Sequence, residues 1–221
     1  MLHFANKVET DTDASIIERI LQGQVDCFEV LIRRYNSVLY KIARSYGFNH
    51  QDAEDLIQDT HVAAYLALAQ FEGRSAYKTW ISKIMVNKCI YKLRSGYYKH
   101  VVLADHEFES DSMPMFTMPA VAQPEKTYMN KELSKVLEQS LQHVPVIYRV
   151  IFVLREVEGF SIAETSELLN ISPMNVKVRL NRARHQLQHQ VELHYSKNEL
   201  YSFNLIYCDG MVEKVFTRIR S

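Results

Sequence analysis

Residues 161–190 constrain the fold of this chain more than any other stretch. Ser161 and Glu164 stand three apart before an apolar run. At that spacing a hydroxyl and a carboxylate can each accept the other's backbone N–H at a helix start. The short helix so opened is predicted to end at Leu169, because Asn170 tolerates the left-handed backbone that stops a helix. Ser172 can cap again, and Pro173 suits a first helical position, where no N–H is required. A long helix is predicted from Pro173 to about Tyr195, with Val176, Leu180, Ala183, Leu187 and Val191 on one side. A short helix, a three-residue turn and a long helix make a helix-turn-helix. From Asn170 to Gln190 the bases are Lys177, Arg179, Arg182 and Arg184, with no acid. An amphipathic helix pair in a plain bundle is the alternative. The capping box, tight turn and acid-free basic stretch together favour DNA. Asn175, Lys177, Val178, Asn181 and Arg182, with Arg179 beside them, would then reach base edges or phosphates in the major groove.

The rest of the chain is read from the same three- and four-residue periodicity. Helices are predicted over Ala14–Gly23, Asp26–Gly47, Asn49 to about Gln70, and Ala76 to about Arg94. In the last, Trp80, Ile81, Ile84 and Met85 are periodic. A second group starts with Asn130–Val144 and continues from Pro145 to near Gly159. No strand pattern of comparable length appears before residue 200. The expected fold is all-α: two small helical domains joined by a flexible acidic linker, the second holding the helix-turn-helix, with a short C-terminal extension. The expected limits are 1–99, 100–127, 128–195 and 196–221. The linker carries Pro114, Pro119 and Pro124 and has no helical or strand period. In the extension, Ser202–Tyr207 reads as a short extended piece. Asp209 can cap a last helix with Val212, Val215, Phe216 and Ile219 on one face.

Charge has to be read by segment. The chain has 26 Lys plus Arg and 26 Asp plus Glu among 221 residues, a total that argues against nucleic acid. The average hides opposing blocks. Asn49–Glu72 carries Asp52, Glu54, Asp55, Asp59 and Glu72 with no Lys or Arg. Gly73–Lys99 carries Arg74, Lys78, Lys83, Lys88, Lys92, Arg94 and Lys99 with no acid. The stretch 100–126 is acidic again. Separate acidic and basic faces suggest a basic protein surface and a polyanion as partners. No run approaches the roughly 20 apolar residues of a membrane helix. Residues 1–13 do not read as a signal peptide. The cysteines at 27, 89 and 208 are few, odd in number and far apart, which fits a cytoplasmic protein without a disulfide framework.

Three further constellations bear on chemistry. In Phe71–Lys99, bases attract phosphate, while Tyr77, Trp80, Tyr91, Tyr97 and Tyr98 are platforms on which unstacked bases can sit. The alternative makes the aromatics core anchors and the bases a solvated face; Trp80, in register with Ile84, fits the core. For the loop both readings stay open on these residues alone. Asp52, Asp55 and Asp59 share a helix face, but no histidine pair or phosphate loop completes a catalytic site. A solvated face, or one docked to a basic protein, is favoured. His185 and His189, with Glu192, share a face but favour solvent or phosphate over metal. The expectation is no catalytic residue, no metal and no cofactor.

Four segments resemble the extracytoplasmic-function sigma factors of bacterial RNA polymerase. Asp52-Ala-Glu-Asp-Leu-Ile-Gln-Asp59 is similar to that family's core-polymerase-binding helix, and Phe71–Asn87 to its promoter-melting segment. Leu154–Ser161 and Asn170–Arg184 are similar to its C-terminal DNA-reading domain. The resemblance covers about residues 15–99 and 128–193. It implies that Asp52, Asp55, Leu56, Gln58 and Asp59 dock on the β′ coiled coil of core polymerase. It implies that Phe71, Arg74, Ser75, Tyr77, Lys83, Asn87, Lys88 and Lys92 hold the −10 element. Lys177, Asn181 and Arg182 would read the −35 element, with Arg149 and Arg155 on its backbone. The linker would follow the polymerase's basic channel, and the β flap, promoter DNA and an anti-sigma protein would complete the partners. The implied role is promoter-specific initiation in a stress or envelope response. A stand-alone helix-turn-helix regulator is the competing reading.

Overall fold

A computed structural model describes residues 11–95 and 136–194, and every regular element among them is helical. In the first lobe, α1 spans Asp13–Leu21 and α2 Phe28–Ser45, joined by a 3-10 turn over Val25–Cys27. Thr12 caps α1, and Asp13 at its start takes the Arg34 guanidinium at 2.6 Å and the Tyr35 hydroxyl. Helix α3 spans His50–Leu66, and its first turn is closed by Asn49, whose Oδ1 accepts the Asp52 N–H at 2.8 Å. The sharp reversal between α2 and α3 uses Gly47 at φ 94°, a region costly for any residue with a Cβ. After a 3-10 turn over Leu68–Gln70, α4 runs from Tyr77 to Arg94.

These helices meet along the faces their periodicity predicts. Leu31, Tyr35, Leu39 and Ile42 of α2 are buried against Ala53, Leu56, Thr60 and Ala64 of α3. On α4 the buried line is Tyr77, Ile81, Met85 and Cys89. Trp80 and Ile84 lie on its flank, half-buried. Ile81 and Met85, two of the periodic positions, form the middle of that line, and Tyr77 and Cys89 extend it at either end. The Tyr77 ring packs among Tyr35, Phe71 and Trp80 at centroid distances of 5.4–5.7 Å.

In the second lobe, α5 occupies residues 136–142, and α6 spans Val146–Phe152 after Pro145. The predicted single helix to Gly159 widens over Val153–Val157 into a π-helical turn. Helix α7 is Ile162–Leu169 and α8 is Pro173–His194. The capping box forms as expected: Glu164 N–H reaches Ser161 Oγ at 3.1 Å, and Ser161 N–H reaches Glu164 Oε2 at 2.8 Å. Asn170 adopts φ 52°, ψ 49°, and Ser172 Oγ accepts the Asn175 N–H at 3.2 Å. Ile151, Val176 and Leu180 lock α8 onto α6.

The two lobes are packed together. Val150, Leu154, Phe160 and Leu168 of the second belong to the same apolar cluster as the core of the first. Full burial of such side chains is worth roughly 1.5–3 kcal/mol each. The expected linker, the extension with its proposed strand and last helix, Cys208 and the start of the Asn130–Val144 helix lie outside the described residues. No described helix is long and apolar enough to cross a membrane.

Candidate nucleic-acid interface and acidic docking face

Helix α8 presents the simplest of three surfaces. Val176, Leu180 and Ala183 turn inward, which leaves Asn175, Lys177, Val178, Asn181 and Arg182 exposed on the opposite side. Arg179 is half-buried beside them. Arg182 donates to the Tyr148 hydroxyl at 3.3 Å, and Arg184 pairs with Glu156 at 2.7 Å. The exposed residues are those a major groove would meet. Arg149 and Arg155 are not among them. Arg149 is 6% exposed, donates to Gln142 O at 3.1 Å and points toward Gly47 of the first lobe. Burial, with Arg44 nearby, lowers its pKa to about 10. Arg155 is half-buried and donates to Phe160 O. Arg149 therefore lies at the contact with the first lobe, whereas Arg155 is held within its own lobe. His185 and His189 are exposed, and Gln188 donates to Glu192 at 2.9 Å. No cluster of three metal-binding side chains forms among the described residues.

The second surface is α4 with the loop before it. Phe71 is half-buried against Tyr77 and Trp80, Ser75 is half-buried, and Arg74 is exposed and pairs with Glu72. Asn87 is exposed. Tyr77 is 1% exposed, so its ring supports the loop from below and is not itself a platform for a base. Burial raises its hydroxyl pKa, and that hydroxyl has no hydrogen-bond partner among the described residues. The lysines of α4 are all engaged. Lys92 pairs with Asp52 at 2.6 Å and Lys88 with Asp59 at 3.9 Å. Lys78 donates to Glu158 O at 2.6 Å and lies 4.6 Å above the Phe160 ring. Lys83 donates to the carbonyls of Glu167 and Leu168 at the end of α7.

The third surface is α3. Asp55, Gln58 and Asp59 are exposed on one face, while Asp52 is half-buried. Leu56 is 4% exposed and belongs to the core, so it holds the acidic face in place from beneath. Sequence reasoning missed what lies beyond. Val62 and Leu66 extend the line of Asp55 and Asp59 at helical spacing and are 60% and 75% exposed. With Val25, Phe28, Ile32 and Tyr65 they line a shallow apolar groove. The signal was present in the 55, 59, 62, 66 spacing, but apolar residues there were indistinguishable from core. His61 is 5% exposed, its Nε2 is 2.9 Å from Asn36 Oδ1, and burial lowers its pKa to about 4.

The family model for Sigma-70 region 2 matches residues 31–97, and that for Sigma-70, region 4 matches residues 134–187. Together they cover more than half of the chain. The ECF RNA polymerase sigma factor SigW of Bacillus subtilis is 27% identical over 180 residues, which span 79% of this chain and 94% of the relative. The ECF RNA polymerase sigma-E factor of Escherichia coli K12 is 27% identical over 186 residues, spanning 82% and 95%. Two solved structures share the fold. Sigma factor RpoE of Bartonella quintana, in complex with the anti-sigma factor NepR, superimposes with a TM-score of 0.57 at 24% identity, covering 77% of this chain and 98% of that one. CnrH, in complex with the cytosolic domain of CnrY, gives 0.56 at 23%, covering 83% and 99%.

Proposed function

The chain belongs to the sigma-70 family, in its extracytoplasmic-function group of RNA polymerase sigma factors, and on that premise we propose how its surfaces divide the work of initiation. The exposed acidic stripe of α3, Asp55, Gln58 and Asp59, docks on a basic surface of core polymerase, with Asp52 and Leu56 holding the stripe in place. The loop at Phe71, Arg74 and Ser75, with Asn87, Lys83, Lys88 and Lys92 of α4, takes the melted −10 strand. Tyr77 acts there by positioning the loop. The outer face of α8 reads the −35 duplex through Asn175, Lys177, Val178, Arg179, Asn181 and Arg182. The working limits of these units remain 1–99 and 128–195. The family is not known for catalysis, and the chemistry belongs to the polymerase. A stand-alone duplex-binding regulator is disfavoured, because relatives named as sigma factors align over 94–95% of their own length. An anti-sigma protein, such as the NepR bound to RpoE of Bartonella quintana, is a further proposed partner.

One observation carries this reading: an exposed carboxylate stripe and an exposed helix-turn-helix face occur in one chain, in the family's order. Reconstitution with core polymerase tests it. The Asp55→Lys, Asp59→Lys double variant should bind core at least tenfold more weakly while keeping its helical circular dichroism. Unchanged core affinity would remove the stripe from the docking surface.

A further inference from the structure

Four of the ten large apolar side chains exposed among the described residues gather in one place: Val25, Val62, Tyr65 and Leu66. A single exposed apolar residue needs no explanation, but a cluster marks a surface that takes a partner. With Phe28 and Ile32 these four line a groove of about 480 Å³ between the start of α2 and the end of α3. Its floor is firm, because the buried Phe28 ring meets Tyr65 and His61 edge to face at 5.2 and 6.1 Å. Its rim is acidic. Asp26 and Glu29 line one side, and no base lines the groove. Glu29 is shared with Arg33 at 2.6 Å in an exposed pair, which holds its partners weakly. Beyond Val62, Asp59 and Asp55 continue the same face of α3. The occupant this surface fits has apolar side chains at helical spacing between cationic flanks.

We infer that the occupant is the chain's own segment 209–221, docked in the groove as an amphipathic helix. Val212, Val215, Phe216 and Ile219 recur at the spacing of one helical face. On a helix, Arg218 and Arg220 stand about a quarter turn to either side of that face, in reach of carboxylates on a rim. From Lys214 to Ser221 there are three bases, Lys214, Arg218 and Arg220, and no acidic side chain, opposite in sign to the groove. The eight positions 212–219 rise roughly 11 Å, and the wall from Val25 to Ile32 is also eight positions long. Other segments fit less well. The basic helices α4 and α8 already bury their apolar faces, and the stretch 100–126 is acidic like the rim. Fourteen residues, 195–208, join the end of α8 to Asp209. Extended, they span up to about 48 Å, more than the roughly 30 Å diameter of a small domain. The tether supplies an effective concentration on the order of millimolar, so even a weak contact is populated. Docking covers Val62 and Leu66 and leaves Asp55, Gln58 and Asp59 exposed. It stands whether or not that acidic stripe binds polymerase.

Photocrosslinking in the full chain tests this. With p-benzoylphenylalanine in place of Phe216, the monomer fraction from gel filtration is irradiated and its crosslinked peptides are mapped by mass spectrometry. Adducts within one chain should fall in residues 25–32 and 61–66. Leu66→Lys, at a side chain outside the core, should cut their yield at least fivefold while circular dichroism stays unchanged. Asp26→Lys combined with Glu29→Lys should cut it about threefold. Hydrogen exchange supplies a readout without the photoprobe: the amides of 212–219 should exchange about tenfold faster in Leu66→Lys than in the wild-type chain. Adducts on another surface of the chain overturn the proposal, as do yields that ignore all of the lysine substitutions. Adducts only between two chains overturn it by giving the groove to a second copy. The absence of adducts, with 212–219 exchanging at the rate of an unstructured peptide, overturns it by leaving the groove to a separate protein.

Discussion

Helices α4 and α8 are both long and both basic, α4 without an acid and α8 with none before Glu192, yet the fold uses their charge in opposite ways. On α4, Lys78, Lys83, Lys88 and Lys92 each meet an acceptor from another element: Glu158, the end of α7, Asp59 and Asp52. On α8, Lys177 and Asn181 face solvent, and the positions beside α6 and its π-helical turn are engaged, Arg182 with Tyr148 and Arg184 with Glu156. An acid-free segment is thus not the same as an uncommitted charge. The difference follows from packing. Helix α4 lies inside the molecule with neighbours on several sides, α2, α3 and α7 among them, whereas α8 lies on the outside of its lobe with one face buried.

The largest expected effect sharpens the claim that α4 is first a core element. Tyr77→Ala should lower stability by about 3–5 kcal/mol in urea denaturation, as for other buried aromatics cut to alanine. Tyr77→Phe should be close to neutral, because the buried hydroxyl it removes has no partner among the described residues. Equal losses in the two variants would mean the hydroxyl is bonded after all. An intermediate effect separates the helices by function. Lys177→Ala should weaken duplex binding by the isolated chain and reduce its salt slope by about one unit. Lys83→Ala should leave duplex binding unchanged. If both substitutions weaken duplex binding alike, the contrast between the helices fails.

The smallest effect lies at the contact between the lobes. Backbone and side-chain hydrogen bonds at Ser161, together with Thr79, hold the Glu164 carboxyl below the usual carboxylate range. A lowered folded-state pKa means that the unfolded chain binds the proton more readily. Glu164 therefore stabilises the fold fully above the ordinary carboxylate pKa, and that part is lost as pH falls through the lowered value. Thermal unfolding between about pH 3 and 6 should show a steeper acid limb for the wild type than for Glu164→Gln. Parallel limbs would deny Glu164 this role.

Much of this was legible from spacing. The capping box at Ser161 and Glu164, the left-handed Asn170 and the second cap at Ser172 all form as their chemistry requires, because each depends on residues within four positions. The acidic stripe was legible too, since helical periodicity places Asp55 and Asp59 on one side. What escaped was the orientation of residues whose chemistry suits either environment. Tyr77 fits a surface site as well as a core, and the structure places it inside. Arg149 reads as a phosphate contact, and the structure buries it near Arg44 at the lobe seam. The π-helical turn at 153–157, closed by the Glu158 N–H on Val153 O at 2.9 Å, had no local signature.

The amino-acid sequence by itself determined the helices, their caps, the helix-turn-helix and the alternation of charge along the chain. These arise from interactions between neighbours in sequence, so 3.6-residue periodicity and capping chemistry suffice. Only the tertiary structure decided which of those charges remain available. Whether Lys83 meets water, DNA or the carbonyls of Glu167 and Leu168 depends on how two lobes separated by 40 undescribed residues pack, and contacts between positions 84 and 85 residues apart leave no local pattern to read.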